Sequence, residues 1–250
     1  MRLDYNCLWD KNNKVHIITY NKNIFDPNKI GELPRKLIEE TGKFLEFNQG
    51  YKICGSLAIY SQININRYIA DVDIAIDENN FLEIVKIAMD KDYSFCRLAQ
   101  RELRAGIRTC IFEEISAEQF LQRRPSVRTV LLNRSVRDKY KPTDIVDVFV
   151  NYVSKEGWEN TSDHRFNPII PTKFPIEVTL NFENGNVKVA SLEYMAVIKS
   201  ILIENEEIFG IGNKVDREKN KFDLQNILEN VGINFSNELK EILKERLKKA

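Results

Sequence analysis

Residues 71–76, DVDIAI, alternate without a break. In an extended chain Asp71, Asp73 and Ala75 share one side, while Val72, Ile74 and Ile76 share the other. Such a segment is a strand with one face against a core and one face carrying two carboxylates roughly 7 Å apart. Carboxylates that close repel each other unless a cation sits between them. Upstream lies YKIC (51–54), a short strand candidate, then Gly55-Ser56 and a short helical stretch, LAIYSQ. Glycine lets a backbone approach a ligand closely. Amides at a turn entering a helix form a ready anion site. A phosphate cradle beside paired carboxylates and Mg²⁺ is the hardware of phosphoryl or nucleotidyl transfer.

The remaining pattern predicts a mixed α/β part over 1–190 and a helical part over 191–250. VHIITY (15–20), GIRTCIFEEI (106–115) and SVRTVLLN (126–133) read as strands, and 32–47 and the run from Asn79 read as helices. DIVDVFV (144–150) is apolar on both faces except at Asp147, which predicts a central, covered strand. FPIEVTLNF (174–182) and NVKVA (186–190) flank Asn184-Gly185, a hairpin signal. From Ser191, a candidate N-cap, the pattern turns helical: SLEYMAVIKSILI, DREKNKFDLQNILENVG, then SNELKEILKERLKKA, with Ser236 repeating the cap signal. The junction at Ala190-Ser191 lacks linker composition, so the helical part is expected to pack directly on the sheet. Residues 1–45 read as an N-terminal extension and helix.

Composition narrows the chemistry. The chain has 37 basic and 37 acidic residues among 250, which argues against a polybasic binder. Its two histidines, His16 and His164, make a His-rich metal site improbable, so a metal would fall to carboxylates and be a hard ion such as Mg²⁺. Cys7, Cys54, Cys96 and Cys110 are scattered, with no CxxC, and read as reduced thiols. No apolar run approaches the roughly 18 residues of a membrane span, and the N-terminus lacks the apolar core of a signal peptide. A cytoplasmic location without membrane association is the expectation.

Gly-Ser, a gap, then Asp-x-Asp on a strand resembles the signature of the nucleotidyltransferase superfamily with the polymerase-beta-like fold. Arg67, four residues before Asp71, matches a basic residue often found ahead of the aspartate pair. Fourteen residues separate Ser56 from Asp71, and Ile69 stands where a Thr is usual. The helical part, SLEYMAVIK then REKNKFDLQNIL, is similar to the C-terminal helices of bacterial nucleotidyltransferase-like proteins, including toxin components of abortive-infection systems. There a Lys-bearing helix precedes Lys-Asp-x-x-Asp; here the run is Lys219-Asn220-x-x-Asp223.

The resemblance implies an α+β fold with a mixed sheet and transfer of an NMP from an NTP to an acceptor hydroxyl. It implies two Mg²⁺ ions on Asp71, Asp73 and a third carboxylate. Asp147 fits that third place best, with Glu177 in PIEVTL as competitor. Gly55 and Ser56 would bind the β- and γ-phosphates, and Arg67 and Lys199 would neutralise phosphate charge. Lys199 is conspicuous on its own, because it centres a stripe of Leu192, Met195, Ala196, Leu202 and Ile203. It must therefore face a carboxylate, plausibly Asp223, or a ligand phosphate.

Residues 97–141 carry eleven Lys/Arg against five Asp/Glu. This stretch reads either as a solvated basic surface on helices or as a nucleic-acid or polyphosphate footprint. The acceptor could thus be a small molecule, tRNA or a partner protein, the last two as in a toxin-like modifier. A non-catalytic nucleotide-binding module of the same fold is the other alternative.

Overall fold

The architecture follows from one arrangement: two strands far apart in sequence, each with an apolar face against the core and an aspartate on the other, lie parallel at the middle of a sheet. The structure, a computed structural model, describes residues 6–21, 31–63, 65, 68–104, 107–123, 128–136, 141–153, 158–160, 176–209, 214–230, 235 and 243. Along the chain run β1 (Asn6–Asp10), β2 (Val15–Asn21), α1 (Pro34–Phe44), β3 (Tyr51–Cys54), α2 (Gly55–Ile63), β4 (Val72–Asp77), α3 (Phe81–Asp90), β5 (Tyr93–Arg104) and β6 (Ile107–Glu114). They are followed by α4 (Ala117–Arg123), β7 (Thr129–Asn133), β8 (Ile145–Val153), β9 (Trp158–Asn160), β10 (Glu177–Phe182), β11 (Gly185–Ala190), α5 (Leu192–Phe209) and α6 (Lys214–Asn230).

The fold is α+β, with a single large mixed sheet ordered β1-β2-β6-β5-β7-β8-β4-β3-β11-β10; β9 pairs with the far end of β8. β4 runs parallel to β8, and β11 to β3; the other pairings are antiparallel. The alternation read in 71–76 is realised over 72–77: Val72, Ile74 and Ile76 are fully buried, with Asp71 just ahead of the strand. These three join Ile53, Val146, Val148 and Val150 in a core that includes Leu37 and Ile38 of α1, Leu57 and Ile59 of α2, and Ile84 and Val85 of α3. A second cluster (Ile18, Cys96, Cys110, Phe112, Val130, Leu132, Val136, Ile145) includes Val130, the register partner of Asp147, and so lies on that aspartate's side of β8.

Two expectations are corrected, and one unread element is added. The N-terminal region contributes a hairpin to the sheet: Asp10 accepts hydrogen bonds from the backbone N–H groups of Asn12 and Asn13, and β2 pairs with β6 over seven residues. The arginine-rich run does not begin on a helix. Residues 93–104 form β5, pairing with β6 on one side and β7 on the other. LAQRELR (98–104) is built of helix formers, and ladder pairing with β6 overrides that propensity. Between β6 and β7, moreover, the segment 117–123 is a helix that the pattern did not reveal.

The helical part starts where the sheet stops. The Ser191 hydroxyl accepts from the Tyr194 N–H, capping α5 as expected, and the Ser191 N–H donates to the Ile176 carbonyl. The expected cap at Ser236 and most of the last helical run lie outside the described residues. No helix among the described residues is long and apolar enough to cross a membrane.

Candidate active site

The parallel β4–β8 register places Asp73 directly beside Asp147. Partners in register point to the same side of a sheet, so the strand alternation that aims Asp73 away from the core aims Asp147 with it. Asp71 stands two residues upstream, and Arg128, just before β7, joins it to Asp147. The Arg128 Nε donates to Asp147 Oδ1 at 3.0 Å, its Nη2 to Asp147 Oδ2, and Nη2 lies 3.6 Å from Asp71 Oδ2. Glu177, the competitor for the third carboxylate, is on β10 and pairs with Lys188 at 3.1 Å and with the buried Lys52 at 4.0 Å.

The third side of the site is the turn from β3 into α2. Cys54 is the register partner of Asp73, and Gly55 follows with φ +66°. A methyl group on Gly55 would lie 1.9 Å from Asp73 Oδ2. The residue is therefore fixed as glycine twice, by its left-handed backbone and by the carboxylate pressed against its Cα. That carboxylate sits at the N-terminal end of α2, where the partial positive charge of the helix favours it.

Electrostatics follow from this crowding. Burial pushes the Asp73 carboxyl up to about 7, and the charges of Asp71 and then Asp147 push the same way, against Lys219 and Lys199. Asp147 is also raised, first by burial, with Arg128 opposing. Near neutral pH the site thus holds carboxylates short of positive charge.

Lys199 and Ser56 belong to an adjoining buried network centred on Asp223 of α6. The Ser56 Oγ donates to Asp223 Oδ2 at 2.9 Å, the Tyr60 hydroxyl to Oδ1 at 2.7 Å, and Lys199 Nζ lies 2.8 Å from Oδ2. Lys199 also donates to Asn220 Oδ1 at 3.0 Å. Asp223 is the carboxylate that the sequence offered as a partner for Lys199. Arg67 lies outside the described residues.

Two residues beside the carboxylates were given no role in the sequence reading. Lys219 acts on both Asp73 and Asp147 from α6; its spacing of four from Asp223 puts both on one helix face, a signal present in the sequence. Arg128 had no such signal, being one arginine among many. Two other arginines of 97–141 are engaged with carboxylates: Arg97 with Glu113 at 3.2 Å, and Arg134 with Glu114.

Asp71, Asp73 and Asp147 are hard oxygen donors of the kind Mg²⁺ prefers, and their mutual repulsion is what a cation would relieve. Among the described residues no three His, Cys, Asp or Glu side chains stand close enough to hold a metal as placed. Arg128 takes one accepting site on each oxygen of Asp147 and so competes with a cation for that carboxylate.

No protein-family model matches the chain, and no curated protein matches it. It is similar to a crystal structure of ANT(2")-Ia in complex with adenylyl-2"-tobramycin, with 13% identity and a TM-score of 0.43, covering 86% of this chain and 98% of that one. A likeness of that strength carries no inference about activity.

Proposed function

We propose that the chain transfers a nucleotidyl group from a nucleoside triphosphate to an acceptor hydroxyl, releasing pyrophosphate. One observation carries the reading: the β4–β8 register, which sets Asp73 beside Asp147 with Asp71 two residues away, next to the glycine turn that opens α2. Asp71, Asp73 and Asp147 would hold Mg²⁺. When bound, the metal supplies neutralisation of phosphate charge and a lowered pKa at the attacking hydroxyl.

The chain's own groups would do the rest. Backbone amides of the first turn of α2 would receive the terminal phosphates. Lys219 would face the phosphates as a cation, the role expected of Lys199. Lys199 would act indirectly, holding Asp223 and through it Ser56 and Tyr60, so that α2 keeps its place. As the acceptor oxygen bonds to the α-phosphorus and the α–β bridging bond breaks, Asp147 would accept the hydroxyl proton.

The test is incubation with each labelled NTP, Mg²⁺ and a cell extract, which also reveals whether a small molecule, RNA or protein accepts the label. Asp73→Asn is expected to lower transfer at least a hundredfold while the chain stays folded by circular dichroism. Transfer that persists in the Asp71→Asn/Asp73→Asn double variant overturns the reading. The grip of Arg128 on Asp147 favours a second reading, a nucleotide-binding module without catalysis; its signature is NTP binding that is indifferent to Mg²⁺, with no labelled product.

A further inference from the structure

We propose that Arg128 is the exchangeable counter-ion of the acidic site: it occupies Asp147 while the cleft is empty and releases it to a divalent cation when a triphosphate offers the guanidinium a new anionic partner. The inference rests on the nucleotidyl-transfer reading and adds to it an order of events, in which metal and nucleotide enter together. Arg128 bonds both oxygens of Asp147 and leans on Asp71, at 3.6 Å. It therefore covers the edge of the carboxylate cluster that a cation shared between Asp71 and Asp147 would use. A guanidinium fork fits a phosphate as well as it fits a carboxylate, so the exchange leaves no buried charge unpaired at either stage. Lys219 provides the contrast. It too faces Asp73 and Asp147 electrostatically, yet no hydrogen bond or ion pair joins it to either carboxylate among the described residues.

That contrast separates occupancy from charge. Mn²⁺ binding to the full chain is measured by calorimetry and by the spin-resonance signal of free Mn²⁺, with and without a non-hydrolysable ATP analogue. Metal held by the analogue alone is subtracted. Wild type is expected to bind Mn²⁺ weakly alone and at least tenfold more tightly with the analogue. Arg128→Gln is expected to bind Mn²⁺ alone at least tenfold more tightly than wild type, and Lys219→Gln, which removes an equal charge, less than threefold. Arg128→Lys keeps the charge without the fork. It is expected to tighten Mn²⁺ binding several-fold, and it carries the test if circular dichroism shows Arg128→Gln unfolded.

Equal gains in Arg128→Gln and Lys219→Gln would reduce the effect to charge and overturn the exchange. So would no gain in either Arg128 variant while wild type binds Mn²⁺ with the analogue; the nucleotidyl-transfer reading would then stand without it. Absence of Mn²⁺ binding in every variant and condition would overturn both.

Discussion

Gly55 is where backbone geometry and site chemistry meet in one residue. Its φ of +66° is costly for any side chain, and a Cβ there would collide with Asp73 Oδ2 at 1.9 Å. Gly185, at φ +152°, is also intolerant, but its Cβ would meet Phe47 at 2.5 Å, away from the carboxylates. Gly55→Ala and Gly185→Ala are each expected to lower stability by about 1–3 kcal/mol in urea unfolding. Only Gly55→Ala should also displace Asp73 and weaken nucleotide transfer a hundredfold or more. Equal activity in the two variants would show that the turn positions nothing in the site. Legibility was uneven at this scale. Asp71 and Asp73 were readable because strict alternation puts both on one strand face, and Asp147 because it interrupts an otherwise apolar run. Arg128 was not, because its meaning depends on β7 lying beside β8, a long-range pairing that no local pattern encodes.

Among the elements, α2, α5 and α6 are joined by one buried carboxylate. Asp223 accepts from Ser56 and Tyr60 of α2 and from Lys199 of α5. Removing one partner of such a pair leaves a charge without compensation, so Asp223→Ala is expected to cost about 3–5 kcal/mol. Lys199→Met combined with Asp223→Asn leaves no lone charge, and the Asn oxygen still accepts from Ser56 or Tyr60. The double variant should therefore recover much of that loss, which a double-mutant cycle in urea reads directly. If the double variant is as unstable as Asp223→Ala, the ion pair is not what holds the helices. Both helices were visible in the sequence through their 3.6-residue period, and the lysine on the apolar stripe of α5 pointed to a carboxylate partner. β1 and β5 were hidden for the opposite reason. Strand identity in LAQRELR comes from long-range pairing with β6, and local propensity argues for helix.

At the scale of the whole molecule, two buried titratable groups at separate places in the sheet set opposing pH dependences. His16 on β2 is fully buried and stacked on Trp9 at 4.2 Å. Its ring nitrogens have no hydrogen-bond partner among the described residues. Burial, with Arg134 adding to it, brings its pKa down to about 4. Between roughly pH 6.5 and 4 the unfolded chain therefore takes up a proton at this residue that the folded chain refuses, and stability falls as pH falls. Asp73 works the other way. Its folded pKa of about 7 lies above the unfolded value near 3.8. The folded chain keeps a proton that the unfolded chain has lost, so stability falls as pH rises through that range, and the raised Asp147 adds in the same sense. Each group contributes a slope of about 1.4 kcal/mol per pH unit at most, and in the shared window the slopes oppose. Urea unfolding at pH 4.5, 5.5 and 6.5 should thus show wild type changing little. Asp73→Asn should gain stability at pH 6.5 and lose more than wild type on acidification, by about 1–3 kcal/mol over the range, because the His16 slope is left less opposed. His16→Phe, which keeps a ring against Trp9, should lose less than wild type on acidification or become more stable. Parallel pH profiles for all three proteins would mean that neither residue titrates in the folded chain as its surroundings dictate.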